Sequence, residues 1–364
     1  MSLASRYVVI MAGGKGERFW PQSRIRRPKH LLPIVGNKPM LTQTTDRLEG
    51  LVPVENVLII TNIEQREAVI EVCPKIPVEN IIGEPVGRDT AAAVGLAATL
   101  VSIRDPKGVF AIIPADHVIH DFASFQSVLD AALDTASNSN AIVTVGIKPI
   151  SPATGYGYIH RGNLEGESRG QSVYSVQKFV EKPDLETAKT YLESGEYLWN
   201  GGMFIWKSSV VEASLEAYVP QLKAALDEIK KRLQSGEDMQ ECLASQYPSL
   251  EKVSIDYAVI EKAENVKTLE ATFDWDDVGE WPAIERHFPK DESGNVARGV
   301  VEIMDAQNNI VFAEEDHTIA VLGVQDLIIV NSPDATLISH KDRAQDIKKI
   351  VQKIAGTDAG KNLM

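Results

Sequence analysis

Near the start of the chain, Gly13-Gly14-Lys15-Gly16-Glu17-Arg18 sets three glycines in four positions, a lysine among them and an arginine just after. Amides without a neighbouring β-carbon can turn inward and approach a ligand closely, and such a nest favours an anion. Lys15 and Arg18 add positive charge beside it, and Arg26-Arg27-Pro28-Lys29 brings three more cations within reach. The chemistry this suits is phosphate binding; the plainer reading is a tight strand-to-helix turn. Spacing excludes two familiar loops. A dinucleotide fingerprint needs a third glycine where Phe19 stands, and the nucleoside-triphosphate loop needs Ser or Thr where Gly16 follows Lys15. A nicotinamide-dependent oxidoreductase is disfavoured on that ground.

Other residues carry weaker signals. Asp116, in Pro114-Ala115-Asp116-His117, follows an apolar run, where a carboxylate either holds a divalent cation or caps a turn. His117 reads as a structural residue or a contact to a base. Asp274, Asp276 and Asp277 are three carboxylates in four residues, which repel unless a cation or solvent offsets them. Trp275, Val278 and Trp281 argue against a merely solvated turn. Gly83-Glu84-Pro85-Val86-Gly87-Arg88-Asp89-Thr90 runs into an alanine-rich helix, for which Asp89 or Thr90 serves as N-cap unless the segment covers a ligand. Glu181-Lys182 pairs an acceptor for hydroxyls with an ammonium for a phosphate, or is simply an exposed ion pair. Asn200, in Trp199-Asn200-Gly201-Gly202, can donate to and accept from vicinal hydroxyls, or can sit in a turn before an aromatic strand.

These residues need a scaffold, and the pattern supplies one. Tyr7–Met11, Val57–Thr61, Val109–Ile113 and Ala141–Val145 read as buried strands; Glu64–Val72, Thr90–Ile103 and Phe122–Ala136 carry helical periodicity. Alternation of this kind predicts an α/β layered domain with a mixed, mostly parallel sheet, and ligands at the carboxyl ends of its strands. After about residue 288, short strands near 300–303, 309–312, 319–322 and 327–330 recur at regular spacing, as in a β-helical coil. A last helix over 342–354 shows Ile347, Ile350, Val351 and Ile354 on one face. The expected division is therefore a catalytic domain over 1–288 and a C-terminal domain over 289–364. A net charge of −14 argues against non-specific nucleic-acid or anionic-membrane binding, so phosphate-binding cations must be concentrated locally. No apolar run reaches membrane-spanning length. Cys73 and Cys242, far apart in helical-looking segments, suggest reduced thiols and a cytoplasmic location.

Gly13 to Arg24, with Pro28-Lys29-His30-Leu31-Leu32, resembles the signature of sugar-1-phosphate nucleotidylyltransferases. Its wording Arg18-Phe19-Trp20-Pro21-Gln22-Ser23-Arg24 is similar to the bacterial mannose-1-phosphate guanylyltransferase branch, also called GDP-mannose pyrophosphorylases. His30 stands where many members carry Gln, and Ala92 where Pro is common. The further matching elements follow in the family's order, which is more specific than any one of them. The resemblance implies a Rossmann-like, GT-A-like nucleotidyltransferase domain followed by a small β-helix-like domain. It implies transfer of GMP from GTP to α-D-mannose 1-phosphate, with Arg18, Lys29 and Lys182 as catalytic cations. Gly13, Gly14, Gly16, Glu84, Arg88 and Asp89 are then nucleotide-binding; Gly155, Glu181 and Asn200 are sugar-binding; Asp116 and Asp277 hold Mg²⁺. Asp256 is a second-rank candidate for sugar or structural contacts. A homodimer is implied, and the fused isomerase domain of some relatives is expected to be absent. Two alternatives stay open: another sugar 1-phosphate or base, such as glucose with UTP, and a catalytically silent regulatory homologue. The second predicts loss of charged groups, yet Arg18, Lys29, Asp116, Lys182 and Asp277 are all present.

Overall fold

Strand β1 (Arg6–Ala12) buries Val8, Val9 and Ile10 completely, as an unbroken apolar run covered on both faces must. The computed structural model describes residues 5–14, 16–358, 360 and 363. The same apolar pattern gives β2 (Val57–Asn62), β3 (Ile81–Glu84), β4 (Val109–Pro114) and β5 (Ile142–Ile147). With β6 (Tyr158–Ser168), β7 (Gln171–Val180), β8 (Tyr197–Lys207) and β9 (Val266–Glu270) they form a nine-stranded sheet in the order β3-β2-β1-β4-β8-β5-β9-β7-β6. Strands β3, β2, β1 and β4 are parallel, as are β5 and β9; β8 runs antiparallel to β4 and β5, and the β6–β7 hairpin closes the far edge. Met11 lies opposite Pro114, so β1 and β4 finish side by side, with Gly14 and Asp116 following shortly after in sequence.

The expected helices form at Arg66–Val72, Asp89–Arg104 and Phe122–Ser137. In Asp89–Arg104 the buried small residues Ala91, Ala92, Ala97 and Ala98 let neighbouring helices Ser208–Tyr218 and Pro220–Gln234 pack closely. Both cysteines are free and buried. Among the described residues no helix is long and apolar enough to cross a membrane.

The chain divides into two compact units. The first holds residues through Gly13, Thr45–Ala115 and Ile119–Trp275, hence the whole nine-stranded sheet and its core. The second holds Gly14–Thr44, Asp116–Val118 and the chain from Asp276 onward. The compact units thus group most of the glycine loop and its cations with the C-terminal strands, a division different from one at residue 288.

Within the second unit, β10 (Val296–Arg298), β11 (Val300–Met304), β12 (Ile310–Phe312), β13 (Thr318–Leu322), β14 (Leu327–Ser332) and β15 (Ala335–His340) follow in turn. Strands β10, β12 and β14 stack in parallel in one sheet and β11 and β13 in another, so the chain coils as a β-helix does. Buried asparagines tie successive coils: Asn295 Oδ1 accepts from the Asn309 amide, and Asn309 Oδ1 accepts from the Leu327 amide, both at 2.9 Å. Phe19, Trp281, Phe312, Ile328 and Val330 share its core. The final helix begins at Ile347, after a 3₁₀ turn over Lys341–Asp346; Ile347 and Val351 are buried, while Ile350 is 43% exposed.

Candidate active site

In the second unit the charged groups gather around Lys29. This residue opens the short turn Lys29–Leu31 and is only 5% exposed. Its ammonium donates to Asp116 Oδ2 at 2.9 Å, to the Asp116 carbonyl at 3.1 Å and to the Asp277 carbonyl at 2.6 Å. Three donors meet three acceptors, which fixes the ammonium in place. Burial pushes the Asp116 carboxyl up, but Lys29 and then His117 outweigh it and hold the group at about 2, so it is ionised at neutral pH. His30, buried beside them, is driven down to about 4 by burial against the pull of Asp116, and its Nε2 has no hydrogen-bond partner.

Gly16 explains why Lys29 can sit there. Its φ is +62°, and a β-carbon on it would lie 2.8 Å from Lys29 Cβ and 2.9 Å from the Lys29 nitrogen. Arg18 Nη1 donates to the Gly279 carbonyl at 2.9 Å. A β-carbon at Gly279 would stand 3.0 Å from Asp277 Oδ2 and 3.4 Å from Arg18 Nη1, so that glycine leaves room for a carboxylate and a guanidinium together. Of the expected residues, Gly16, Arg18, Lys29, Asp116 and Asp277 are thus brought together, while a β-carbon at Gly14 would meet nothing. Lys15 lies outside the described residues.

The acidic run resolves into separate jobs. Asp274, in the first unit, accepts from the His120 and Asp121 amides and pairs with the His120 ring. Asp276, 7% exposed, accepts from the Val278 amide at 2.8 Å and from Arg286 and His287. Despite burial, the His287 and Arg286 contacts hold its carboxyl well below the usual range. Asp277 is the one set beside Arg18.

In the first unit, Glu84 ends β3 at 7% exposure and accepts from the Tyr247 hydroxyl; its Oε2 lies 3.5 Å from where a β-carbon at Gly13 would stand. Burial raises this carboxyl from 4.5 to about 7, against the Tyr247 hydrogen bond. Nothing in the spacing of Glu84 and Tyr247 announces that contact. Arg88 donates to the Pro248 carbonyl, and its buried Nε has no partner. Neither Asp89 nor Thr90 is the N-cap expected above. The cap position falls to Arg88 without a side-chain bond, Asp89 adopts φ +66° and accepts from the Thr90 amide, and Thr90 Oγ1 accepts from the Ile255 amide at 2.8 Å.

A carboxyl with a raised folded-state pKa costs stability as pH rises. Both folded and unfolded chains hold the proton at low pH; above 4.5 the unfolded chain releases it first, so the penalty grows until about pH 7 and then stays. Glu84→Gln removes the ionisation and keeps an acceptor for Tyr247. In urea melts the variant is expected to match the parent near pH 4 and to exceed it by about 3 kcal/mol near pH 8. An equal gain at both pH values would locate the effect elsewhere.

Glu181 and Lys182 follow β7. Lys182 Nζ donates to Glu181 Oε1 at 2.6 Å, but the pair is not the exposed one of the plainer reading: the Glu181 side chain is 8% exposed against 57% for Lys182. Lys182 has φ +47°, a conformation rare for a side-chain-bearing residue. A β-carbon at Gly157 would fall 2.5 Å from Glu181 Oε2, whereas one at Gly155 would meet nothing. The glycine that makes room for this carboxylate is Gly157, which the sequence does not single out because the two glycines flank one tyrosine alike. Asn200 lies on β8, and its Nδ2 donates to Asp256 Oδ1 at 3.2 Å.

A family model described as nucleotidyl transferase matches residues 7–294, and one described as the MannoseP isomerase/GMP-like β-helix domain matches 299–354. The chain is 38% identical over 346 residues to a mannose-1-phosphate guanylyltransferase of Klebsiella pneumoniae, covering 94% of this chain and 73% of that one. It is 36% identical over 358 residues to one of Escherichia coli strain K12, covering 97% and 74%. A crystal structure from Thermus thermophilus, described as a mannose-1-phosphate geranyltransferase, is 34% identical with a TM-score of 0.84 over 97% of this chain and 100% of that one.

Proposed function

The chain belongs to the nucleotidyl transferase family, and from that premise we propose that it transfers GMP from GTP to α-D-mannose 1-phosphate, giving GDP-mannose and pyrophosphate. The observation that carries this reading is the grouping of Arg18, Lys29, Asp116 and Asp277 in the second unit. A phosphate oxygen of the sugar phosphate attacks the α-phosphorus while the bond to pyrophosphate breaks. That nucleophile is already an anion, so no general base is required, and catalysis is positioning with charge neutralisation. Arg18 and Lys29 meet the β- and γ-phosphates. Lys182 aligns the attacking phosphate, with Glu181, Asn200 and Gly155 at the sugar. Gly13, Gly14, Gly16, Glu84, Arg88 and Asp89 contact the nucleotide.

Enzymes of this family work with a divalent ion. The donor set fits Mg²⁺: Asp116 is ionised, Asp277 adds a second hard oxygen ligand, and Mg²⁺ takes one or two carboxylates with phosphate and water oxygens completing its shell. When bound, the ion supplies positive charge to the phosphate oxygens as pyrophosphate departs. In this reading residues 1–288 carry catalysis, residues 289–364 form a β-helix-like domain through which two copies pair, and the enzyme works in the cytoplasm.

Pyrophosphate release is the test, measured for the four common nucleoside triphosphates against several hexose 1-phosphates with Mg²⁺. GTP with mannose 1-phosphate is expected to exceed every other pairing by about 10²-fold or more in kcat/KM, as discrimination through polar contacts allows. Preference for another pair, or no turnover, overturns the reading.

A further inference from the structure

Asn200 is held more tightly than a ligand-facing amide requires. It sits on β8 opposite Gly146, beside an irregularity in the β5–β8 ladder between Thr144 and Gly146. Its Oδ1 accepts from the Gly202 amide at 3.1 Å and from Thr144 Oγ1 at 3.3 Å. A backbone N–H can only donate, so the oxygen end of the amide is identified and cannot be exchanged for the nitrogen. Nδ2 then faces Asp256 Oδ1, which takes one of its two hydrogens. Asp256 opens a π-helical segment, Asp256–Ile260, an irregularity often found at functional sites. Around its carboxyl stand Glu181 and Lys182 from the segment after β7, Asp89 from a helix start and Tyr257 beside it; Glu261 in turn accepts from the Glu181 amide.

Two carboxyls, one oriented amide and one ammonium, all in the first unit, are a donor–acceptor set for a polyhydroxylated ring carrying a phosphate. Resting on the function proposed above, we propose that Asp256 is a positioning residue for the hexose 1-phosphate: it orients Asn200 so that the second amide hydrogen meets one sugar hydroxyl, while the Asp256–Glu181 pair meets the adjacent one, and this sets which epimer is accepted. Burial, and then the neighbouring Glu181, raise the Asp256 carboxyl to about 7. Around neutrality Asp256 is partly protonated, able to donate as well as accept. Above that pH a second negative charge appears where an anionic sugar must enter.

Asp256→Asn and Asp256→Ala separate orientation from charge. Asn keeps the size and an acceptor for Asn200, and Ala removes both. For Asp256→Ala, KM for mannose 1-phosphate is expected to rise about 10-fold, and the preference over glucose 1-phosphate to fall by a similar factor, while KM for GTP changes by less than about 2-fold. Asp256→Asn restores most of the selectivity. It also abolishes the rise in sugar-phosphate KM that the parent shows above about pH 7, the titration being gone. Parent turnover with GTP and mannose 1-phosphate is measured first, since its absence refutes the proposed activity itself. With the parent active, equal changes in both KM values, unchanged selectivity in Asp256→Ala, or a pH dependence that survives in Asp256→Asn overturns the role of Asp256. Circular dichroism confirms folding, and the isosteric Asn variant carries the pH test alone if Ala unfolds.

Discussion

Lys29→Met is expected to lower kcat with GTP and mannose 1-phosphate by about 10²–10³-fold while the chain still folds, the loss typical of one preorganised charge contact at a developing anion. Two effects combine. The leaving pyrophosphate loses an ammonium held by three bonds, and Asp116 loses the partner that keeps its carboxyl at about 2. With Lys29 gone, burial is opposed only by the weaker pull of His117 and His30, so the pKa of that carboxyl climbs and the pH–rate profile should gain an acid limb that the parent lacks. The Asp116 side chain is 39% exposed, which lets water replace the lost partner and spares the fold. Lys29→Arg should recover little, because a planar fork cannot serve three acceptors clustered round one point. Gly16→Ala tests the same geometry from the other side, since its β-carbon would collide with Lys29 at 2.8 Å. Steady-state kinetics with circular dichroism decides the matter. A folded Lys29→Met variant within about 10-fold of parent kcat removes Lys29 from the chemistry.

Much of the scaffold was legible in the sequence because its signals are local. A buried parallel strand is a short apolar run, and Val8-Val9-Ile10 announces β1 without reference to any other part of the chain. The strand ends are local too: the glycine loop and Asp116 each follow directly on an apolar run, and those runs form the adjacent strands β1 and β4. What could not be read are contacts between distant segments. Tyr247 belongs to none of the motifs that carry chemistry in the sequence, yet its hydroxyl meets Glu84, 163 positions away. The Asn200–Asp256 bond spans 56 positions. The capping preference of Asp89 and Thr90 is a sound local rule, but Ile255 engages the Thr90 hydroxyl and Asp89 takes a left-handed conformation. A tertiary hydrogen bond outweighed the local cap there. The grouping of Gly14–Thr44 with the β-helical coil follows from packing such as Phe19 against Trp281, rings 5.1 Å apart, which no periodicity reveals.

The neighbouring carboxylates Asp276 and Asp277 give the sharpest contrast, since one-residue spacing predicts opposite outcomes. Asp277→Asn is expected to cost about 10²–10³-fold in kcat with little change in melting, because its carboxylate stands beside Arg18 and serves charge neutralisation. Asp276→Asn is expected to cost stability instead. Its side chain is 8% exposed and accepts from Arg286, His287 and the Val278 amide; an amide in its place offers one acceptor and adds two donors facing other donors. Breaking such a buried charged network costs about 3 kcal/mol. The pH dependence differs in the same way. Because the folded Asp276 carboxyl is depressed, its contribution is full above the unfolded value near 3.8 and fades only as pH falls through the lower folded one. The stability gap between parent and Asp276→Asn should therefore hold constant from about pH 5 to pH 8 and narrow below about pH 4. Val278, between this carboxylate and Gly279, has φ +41°, so the Asp276 bond to its amide also holds the strained turn that presents Asp277. Some loss of rate in Asp276→Asn is therefore expected, and it should recover in stabilising osmolyte, whereas the Asp277→Asn defect should not. Full recovery of Asp277→Asn under those conditions would reduce Asp277 to a structural residue.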